Sequence, residues 1–460
     1  MSQLAVVILA AGQSTRMKSK KSKVLHLLAG SPVVHYPIAA AKALGAKTVL
    51  VVRGPNQDDL KNYLKGVGVR DVVQKKPLGT ADAVQAAAAN LKSFKGNILI
   101  LCGDVPLIRS GSLLAFVAAV GVKKAKMGVL TMSPEDPTGY GRIVRDLDGN
   151  LIRIVEEKDA TDEEKKIREV NSGIIIADKT WLFDTLKKIG SENAKGEFYL
   201  TDLIGLAVKE DVSVCAYNAN PFEDFLGINT RIDLAWASEI MRARINKKLM
   251  LNGVGILDLC NTHIDNEVRI GQDTTVMPYS FLLGKTRVGS DCVIENGVVL
   301  RDAVIGNCVH VKAHSVIEES VVSDGAIVGP FSRMRPQSKL GKGARIGNFV
   351  ELKKCELKEG AKANHLTYLG DAVVGKNSNV GCGTITCNYD GKFKHKTLIG
   401  DRVFVGSDVH FVAPVSIGRD AFVGAGSTIT KDVPAGSLAL ARSPQIIVKG
   451  WVKKRKGRGR

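Results

Sequence analysis

Over residues 253–460 the aliphatic side chains recur at every sixth position. Ile399, Val405, Phe411, Ile417, Val423 and Ile429 keep that spacing without a slip, and glycine follows four of them, at 400, 406, 418 and 424. The same period runs through Val293, Val299, Ile305, Val311 and Ile317, and again through Val328, Met334, Leu340 and Ile346. Six matches neither the 3.6-residue period of a helix nor the alternation of a half-buried strand. It is the hexapeptide period of a parallel β-helix, with one inward aliphatic residue per face and a small residue to help turn the corner. At three hexapeptides, or about 18 residues, per coil, the stretch predicts roughly nine or ten coils. A solenoid excludes what does not stack. The 19-residue step from Val380 to Ile399 therefore matters, and the polar, basic run 386–396 inside it predicts a loop that leaves the solenoid as a candidate binding loop.

The first half reads differently. Ala5–Leu9, Thr48–Val52, Asn97–Cys102 and Met127–Thr131 are short Val/Ile/Leu-rich runs, separated by helical runs such as Val33–Leu44 and the alanine-rich Ala81–Leu91. Alternation of this kind predicts a largely parallel sheet with helices on both faces, whose ligands gather at the carboxyl ends of strands. From about Thr230 to Leu251 one long helix is expected, with Ile232, Trp236, Ile240, Ile245 and Met250 among its apolar positions. The division expected is 1–229, a linker helix 230–251, a β-helix 252–445 and a basic tail 446–460.

Composition narrows the function. The net charge of +19 raises the question of nucleic acid, but six of those charges fall in the last eight residues and the rest are spread thinly. No nucleic-acid partner is expected; the cations suit phosphorylated small substrates equally well. No apolar run approaches the roughly 20 residues that span a bilayer, so no membrane insertion is expected. Eight cysteines without a C-x-x-C pair fit free thiols in a reducing cytoplasm.

Two segments carry chemistry. Val6–Met17 describes a strand, a small-residue turn at Gly12 and a helix start, with Arg16 and Lys23 nearby. Its N–H groups could cradle phosphate oxygens, although read alone it is equally a generic strand–turn–helix. Asn97–Cys102 is an apolar strand ending in Gly103-Asp104, which places an acid where Mg²⁺ could be held or a helix capped. In the second half, His365 stands in Ala363–Asp371 in a stretch that also contains Arg335, Lys353, Asn388 and Tyr389. A histidine in that company is a candidate base, a packed side chain being the alternative.

Together, Leu9-Ala-Ala-Gly12, Thr15-Arg-Met17, Lys23 and Gly103-Asp104 resemble the sugar-1-phosphate nucleotidylyltransferases. His365–Asp371 and Thr384–Gly391 resemble the acetyltransferase half of the bifunctional N-acetylglucosamine-1-phosphate uridylyltransferase/glucosamine-1-phosphate acetyltransferase family. The resemblance runs from Leu9 to about Arg442. It implies an α/β protein: a Rossmann-like nucleotidyltransferase domain with a mixed, mostly parallel sheet, a linker helix and a left-handed parallel β-helix. It also implies Mg²⁺, with UTP and acetyl-CoA as co-substrates, a cytoplasmic homotrimer formed through the β-helix, and a role in supplying cell-wall precursor. Leu9, Ala10, Gly12 and Lys23 would line the nucleotide site, with Gln74, Gly79 and Thr80 around the uracil. Asp104 and Asn229 would hold the metal, Arg16 and Lys23 would be catalytic cations, and Gly141, Glu156 and Asn171 would contact the sugar. His365 would be the general base, with Arg335 and Lys353 on the sugar phosphate and Tyr368 and Asn379 on the sugar. Asn388, Tyr389, Ser407, Ala425 and Arg442 would contact acetyl-CoA. Ser14, Ser22, Cys102, Asn364 and Cys382 depart from the family's usual glycine, proline, tyrosine, glycine and alanine. The nearest alternative is a single-activity nucleotidylyltransferase with a structural or regulatory β-helix, which has no use for His365. A non-catalytic assembly factor is a further alternative, and it predicts a degenerate phosphate turn.

Overall fold

The structure, a computed structural model, describes residues 3–12 and 14–456. The chain divides into two compact units, Met1–Met241 and Arg242–Arg460, with the division falling inside a helix of 21 residues, Arg231–Leu251.

In the first unit the apolar runs become the strands Leu4–Leu9, Thr48–Arg53, Asn97–Cys102 and Met127–Met132. Across the sheet the order is Val214–Asn218, Met127–Met132, Val170–Asp178, Asn97–Cys102, Leu4–Leu9, Thr48–Arg53 and Arg70–Val73. Leu4–Leu9 pairs in parallel with both neighbours, so Leu9 and Cys102 end side by side. Among these seven strands Val170–Asp178 is reversed, antiparallel to both of its neighbours, and the short strands Arg142–Arg145 and Leu151–Val155 join the same sheet through it. Side chains of the central strands pack to 0% exposure on both faces, and this double burial is why the runs read as continuous rather than alternating hydrophobics.

In the second unit parallel pairings repeat coil after coil. Along one face the inward residues run from Ile256 through Val276, Ile294, Val311, Val328, Ile346, Ala363, Val380, Val405 and Val423 to Ala439, eleven rungs separated by ten coil steps. Two positions differ from the six-residue count. The buried residues are Ile294 and Leu300, each 0% exposed, and not Val293 and Val299. The cause is a five-residue step, from Leu300 to Ile305, which shifts a strict count by one. The same step recurs from Ile317 to Val322 and from Leu352 to Leu357, so those coils take 17 residues.

The helix Arg231–Leu251 also differs from its sequence pattern. Ile232, Trp236 and Met250 are exposed, whereas Ala237, Met241 and Leu249 are buried. Asn246 is buried with them and donates from Nδ2 to the carbonyls of Leu259 and Thr262. Among the described residues no helix is long and apolar enough to cross a membrane.

Candidate active sites

At the carboxyl ends of the central strands the chain tightens twice. Ala10 donates its N–H to Val52 and Gly103 donates to Leu9, both at 2.8 Å, so the two strand ends are sewn together. Ser14 then takes a left-handed conformation, φ 60°, which normally favours glycine. Its hydroxyl offsets the strain locally: it donates to the Gly12 carbonyl and accepts the Lys23 N–H at 3.0 Å. Serine in place of glycine thus fastens the turn to Lys23. Ser22 brings no such gain, since its hydroxyl is buried without a partner.

The Lys23 ammonium reaches Asp104 Oδ2 and also donates to Asn229 Oδ1 at 3.1 Å, and Arg16 donates to that same amide oxygen at 2.9 Å. Two cations, a carboxylate and an amide oxygen therefore converge, although Asn229 lies 125 residues after Asp104 in sequence. A cavity of about 550 Å³ opens here, lined by Leu9, Ala10, Gly12, Arg16, Lys23, Gln74, Gly79, Thr80, Asp104 and Asn229. Every nucleotide, cation and metal residue expected in this half is in that lining.

Gly141, Glu156 and Asn171 are not in the lining but adjoin one another. The Asn171 N–H donates to Gly141 at 2.8 Å, and Glu156 accepts from Thr201 at 3.2 Å. Burial pushes the Glu156 carboxyl above its ordinary range. Cys102 links this trio to the main cavity, since its thiol meets the Gly173 carbonyl and Gly173 donates to Asn171 Oδ1. Burial raises the Cys102 thiol to about 12, so it stays neutral.

Lys195 and Glu197 also line the cavity, and sequence reasoning missed them. They arrive because residues 198–200 are stitched to 78–81: Phe198 donates to Leu78, Ala81 to Phe198, and Leu200 to Thr80 Oγ1. Gly79 makes that seam possible. Its φ is +123°, and a Cβ there would stand 2.4 Å from the Phe198 carbonyl oxygen. Gly79→Ala is accordingly expected to destabilise the first unit by about 1–3 kcal/mol, measured as an earlier calorimetric transition for that unit. An unchanged transition would contradict the seam.

On the β-helix, register places the remaining residues in columns. Met334 pairs with Leu352 and Lys353 with Gly370, so Arg335, Lys353 and Gly370 follow one another in successive coils. Gly370 leaves the room used by its neighbours: a Cβ there would meet the Tyr368 hydroxyl at 2.4 Å and Asn388 Nδ2 at 2.8 Å. Asn388 is buried and donates to Asp371 at 2.6 Å, while Arg335 donates to Glu351 at 3.0 Å.

The basic insertion folds as a small hairpin. His395 donates its N–H to the Asn388 carbonyl and pairs through Nε2 with Asp390, and the Tyr389 hydroxyl donates to Gly391. The hairpin carries Lys394 to Lys353. Contact between the two ammonium groups pushes Lys353 below the ordinary lysine range, and Arg335 adds to the effect. Lys394 went unassigned in the sequence, where only the break in period pointed to its loop.

A second column climbs the adjoining corner. Asn348 pairs with His365, and the flanking ladders carry the same position upward to Cys382, Ser407 and Ala425. Arg442 donates to the Ala425 carbonyl at 2.7 Å and closes that column. Asn379 stands on the adjacent face, paired with Lys362. The His365 side chain is exposed. Asn364 before it has no positive φ, so its backbone makes no demand for glycine.

A phosphate turn facing a strand-end carboxylate, followed by a hexapeptide solenoid with clustered cations and an exposed histidine, defines a two-module transferase. The family model described as "MobA-like NTP transferase domain" matches residues 6–159, and that described as "Bacterial transferase hexapeptide (six repeats)" matches 267–302 and 396–431. The chain is 49% identical to the "Bifunctional protein GlmU" of Geobacter sulfurreducens, with 98% of each chain covered. It is 48% identical to that of Geotalea uraniireducens, covering 99% of this chain and 100% of the relative, and 46% identical to that of Listeria monocytogenes serotype 4b, covering 98% and 99%. The chain belongs to the bifunctional GlmU family.

Proposed function

We propose that this chain makes UDP-N-acetylglucosamine in two steps, one in each unit. Acetyl-CoA acetylates glucosamine-1-phosphate on the β-helix, and UTP then uridylylates N-acetylglucosamine-1-phosphate in the first unit, with release of pyrophosphate. The observation that carries this reading is the pair of complete sets in one chain: Arg16, Lys23, Asp104 and Asn229 around one cavity, and His365 beside a cationic column on the solenoid.

In the first unit the sugar phosphate is already an anionic nucleophile, so no general base is needed. The barrier is the approach of two polyanions, and the site answers it with charge and alignment. Arg16 and Lys23 would neutralise phosphate oxygens while the turn at Gly12 lets the backbone approach them. Gln74 commits Nε2 to Gly79 and Asp82, which leaves Oε1 as an acceptor suited to the N3–H of uracil, with Gly79 and Thr80 shaping the base site. Gly141, Glu156 and Asn171 would hold the sugar. Asp104 and Asn229 supply one carboxylate and one amide oxygen, hard donors that suit Mg²⁺ completed by phosphates and water. Among the described residues no group of three or more His, Cys, Asp or Glu is placed to hold a metal, which fits a site completed by substrate. A bound Mg²⁺ would supply further neutralisation of the phosphates.

In the second unit His365 would take the proton that the substrate ammonium must lose before the amine attacks the thioester carbonyl. The tetrahedral adduct then loses its second N–H proton to water and expels the CoA sulfur, which takes the proton held by the His365 imidazolium and leaves as thiol. Arg335, Lys353 and Lys394 would hold the phosphate, with Tyr368 and Asn379 on the sugar. From Cys382 the corner column runs through Ser407 and Ala425 to Arg442, about 14 Å at one coil spacing per step. That length suits the extended arm of acetyl-CoA, with Asn388 and Tyr389 as further contacts from the adjoining column. Lys394→Ala is expected to raise KM for glucosamine-1-phosphate roughly tenfold with kcat little changed. An unchanged KM would remove Lys394 from the phosphate site.

A homotrimer formed through the β-helix belongs to the same proposal. Tyr279, Phe331, Phe349 and Leu366 are all exposed at one corner, and Phe331 stacks on Phe349 at 5.5 Å. All four have positive φ, a conformation that aromatic and branched residues rarely hold. Such a stripe beside His365 suits a second copy of the chain. A cytoplasmic enzyme supplying cell-wall precursor completes the reading. A two-product assay on the wild type tests it: thiol should appear from acetyl-CoA and glucosamine-1-phosphate without UTP, and pyrophosphate from UTP and N-acetylglucosamine-1-phosphate without acetyl-CoA. Pyrophosphate alone would favour the single-activity alternative.

A further inference from the structure

We infer that Lys23 is the resident cation of the metal position: in the substrate-free protein its ammonium occupies the Asp104 and Asn229 oxygens, and a divalent ion enters only as a triphosphate draws Lys23 away. The inference rests on the proposal that Asp104 and Asn229 are the metal ligands.

Three observations carry it. The Lys23 ammonium contacts Asp104 Oδ2 and Asn229 Oδ1, the same two oxygens that a metal would need. The lysine and aspartate side chains are only 16% and 20% exposed, so water screens the pair poorly. Arg16 already donates to Asn229 Oδ1, which leaves that oxygen little capacity for a further partner. A divalent ion must approach each oxygen to about 2.0–2.1 Å, and it cannot do so beside an ammonium bonded to both. Substrate-free metal binding therefore has to break charge-assisted hydrogen bonds.

The geometry also shows how the ammonium can be released. The Lys23 N–H is held by Ser14 Oγ at 3.0 Å, so the backbone stays fixed to the phosphate turn while the side chain is free to swing. Triphosphate oxygens on that turn offer Lys23 a new anionic partner and give the incoming ion its remaining ligands. Lys23 would then serve twice, first by neutralising the Asp104 carboxylate and bridging it to the Asn229 amide oxygen, then by neutralising phosphate.

Mn²⁺ binding to the full-length, substrate-free protein, followed by the paramagnetic resonance of the free ion, tests this directly. Lys23→Met should tighten Mn²⁺ binding roughly tenfold or more, the equivalent of the displaced charge-assisted bonds. Lys21→Met removes the same charge from an exposed neighbour and should change affinity less than about twofold. Lys23→Gln, with retained thermal unfolding, repeats the measurement should the methionine variant fold poorly. Equal affinities for the Lys23 and Lys21 variants would overturn the inference. Asp104→Asn, measured with a non-hydrolysable UTP analogue present, separates the two levels. Loss of Mn²⁺ binding there upholds the metal site whatever Lys23 does, and retained binding would overturn the site and the inference with it.

Discussion

Replacing His365 with alanine is expected to reduce CoA release from acetyl-CoA and glucosamine-1-phosphate by roughly 10²–10⁴-fold, the range lost with a general base. Pyrophosphate release from UTP and N-acetylglucosamine-1-phosphate should remain at the wild-type rate. The substitution is clean for a structural reason. His365 is exposed at a corner, and its side chain belongs to none of the buried layers of the solenoid. The local fastening is made by its backbone, whose carbonyl accepts from Thr367 Oγ1 at 2.6 Å, and alanine keeps that bond. Coil stacking through Ala363, Thr367 and Leu369 is likewise untouched. A thiol assay beside a pyrophosphate assay on one preparation checks both halves. Full acetyl transfer by the variant would remove the histidine from the mechanism.

Asp104→Ala is expected to do the reverse, with pyrophosphate release falling by roughly 10²–10³-fold and acetyl transfer unchanged. Asp104 is the one carboxylate among the converging groups, and its removal leaves Arg16, Lys23 and the Asn229 amide with no anion to organise them. The backbone there keeps its own anchors, since Gly103 still donates to Leu9 and Ile228 still donates to the carbonyl of residue 104. The loss should therefore appear in turnover rather than in folding. Retained uridylyl transfer would place the metal elsewhere.

Much of this was legible because it was local. A strand, a turn and a cation stand within a dozen residues at Val6–Met17, and Gly103-Asp104 follows its strand directly. The solenoid period was equally plain, since each coil contacts only its neighbours and repeats its own pattern. What failed was of two kinds. A five-residue step is invisible to a six-residue count, which put Val293 and Val299 where Ile294 and Leu300 lie. Residues brought in by tertiary structure gave no signal, as with Lys195 and Glu197 beside a seam to Gly79. On the helix Arg231–Leu251, Ile232, Trp236 and Met250 stood among the expected apolar positions, yet they are exposed, and Ala237, Met241, Asn246 and Leu249 are packed inside. Hydrophobic spacing marks a stripe without saying what covers it. The columns on the β-helix needed register, which sequence supplies only after the five-residue steps are known.

The central claim is that one chain carries two self-sufficient sites joined by a diffusible product. Mixing the His365→Ala and Asp104→Ala proteins with glucosamine-1-phosphate, acetyl-CoA and UTP tests it most directly. Neither variant alone should make UDP-N-acetylglucosamine, whereas the mixture should make it after a lag while N-acetylglucosamine-1-phosphate accumulates. A mixture that stays silent, although each variant retains its own half-reaction, would contradict the account.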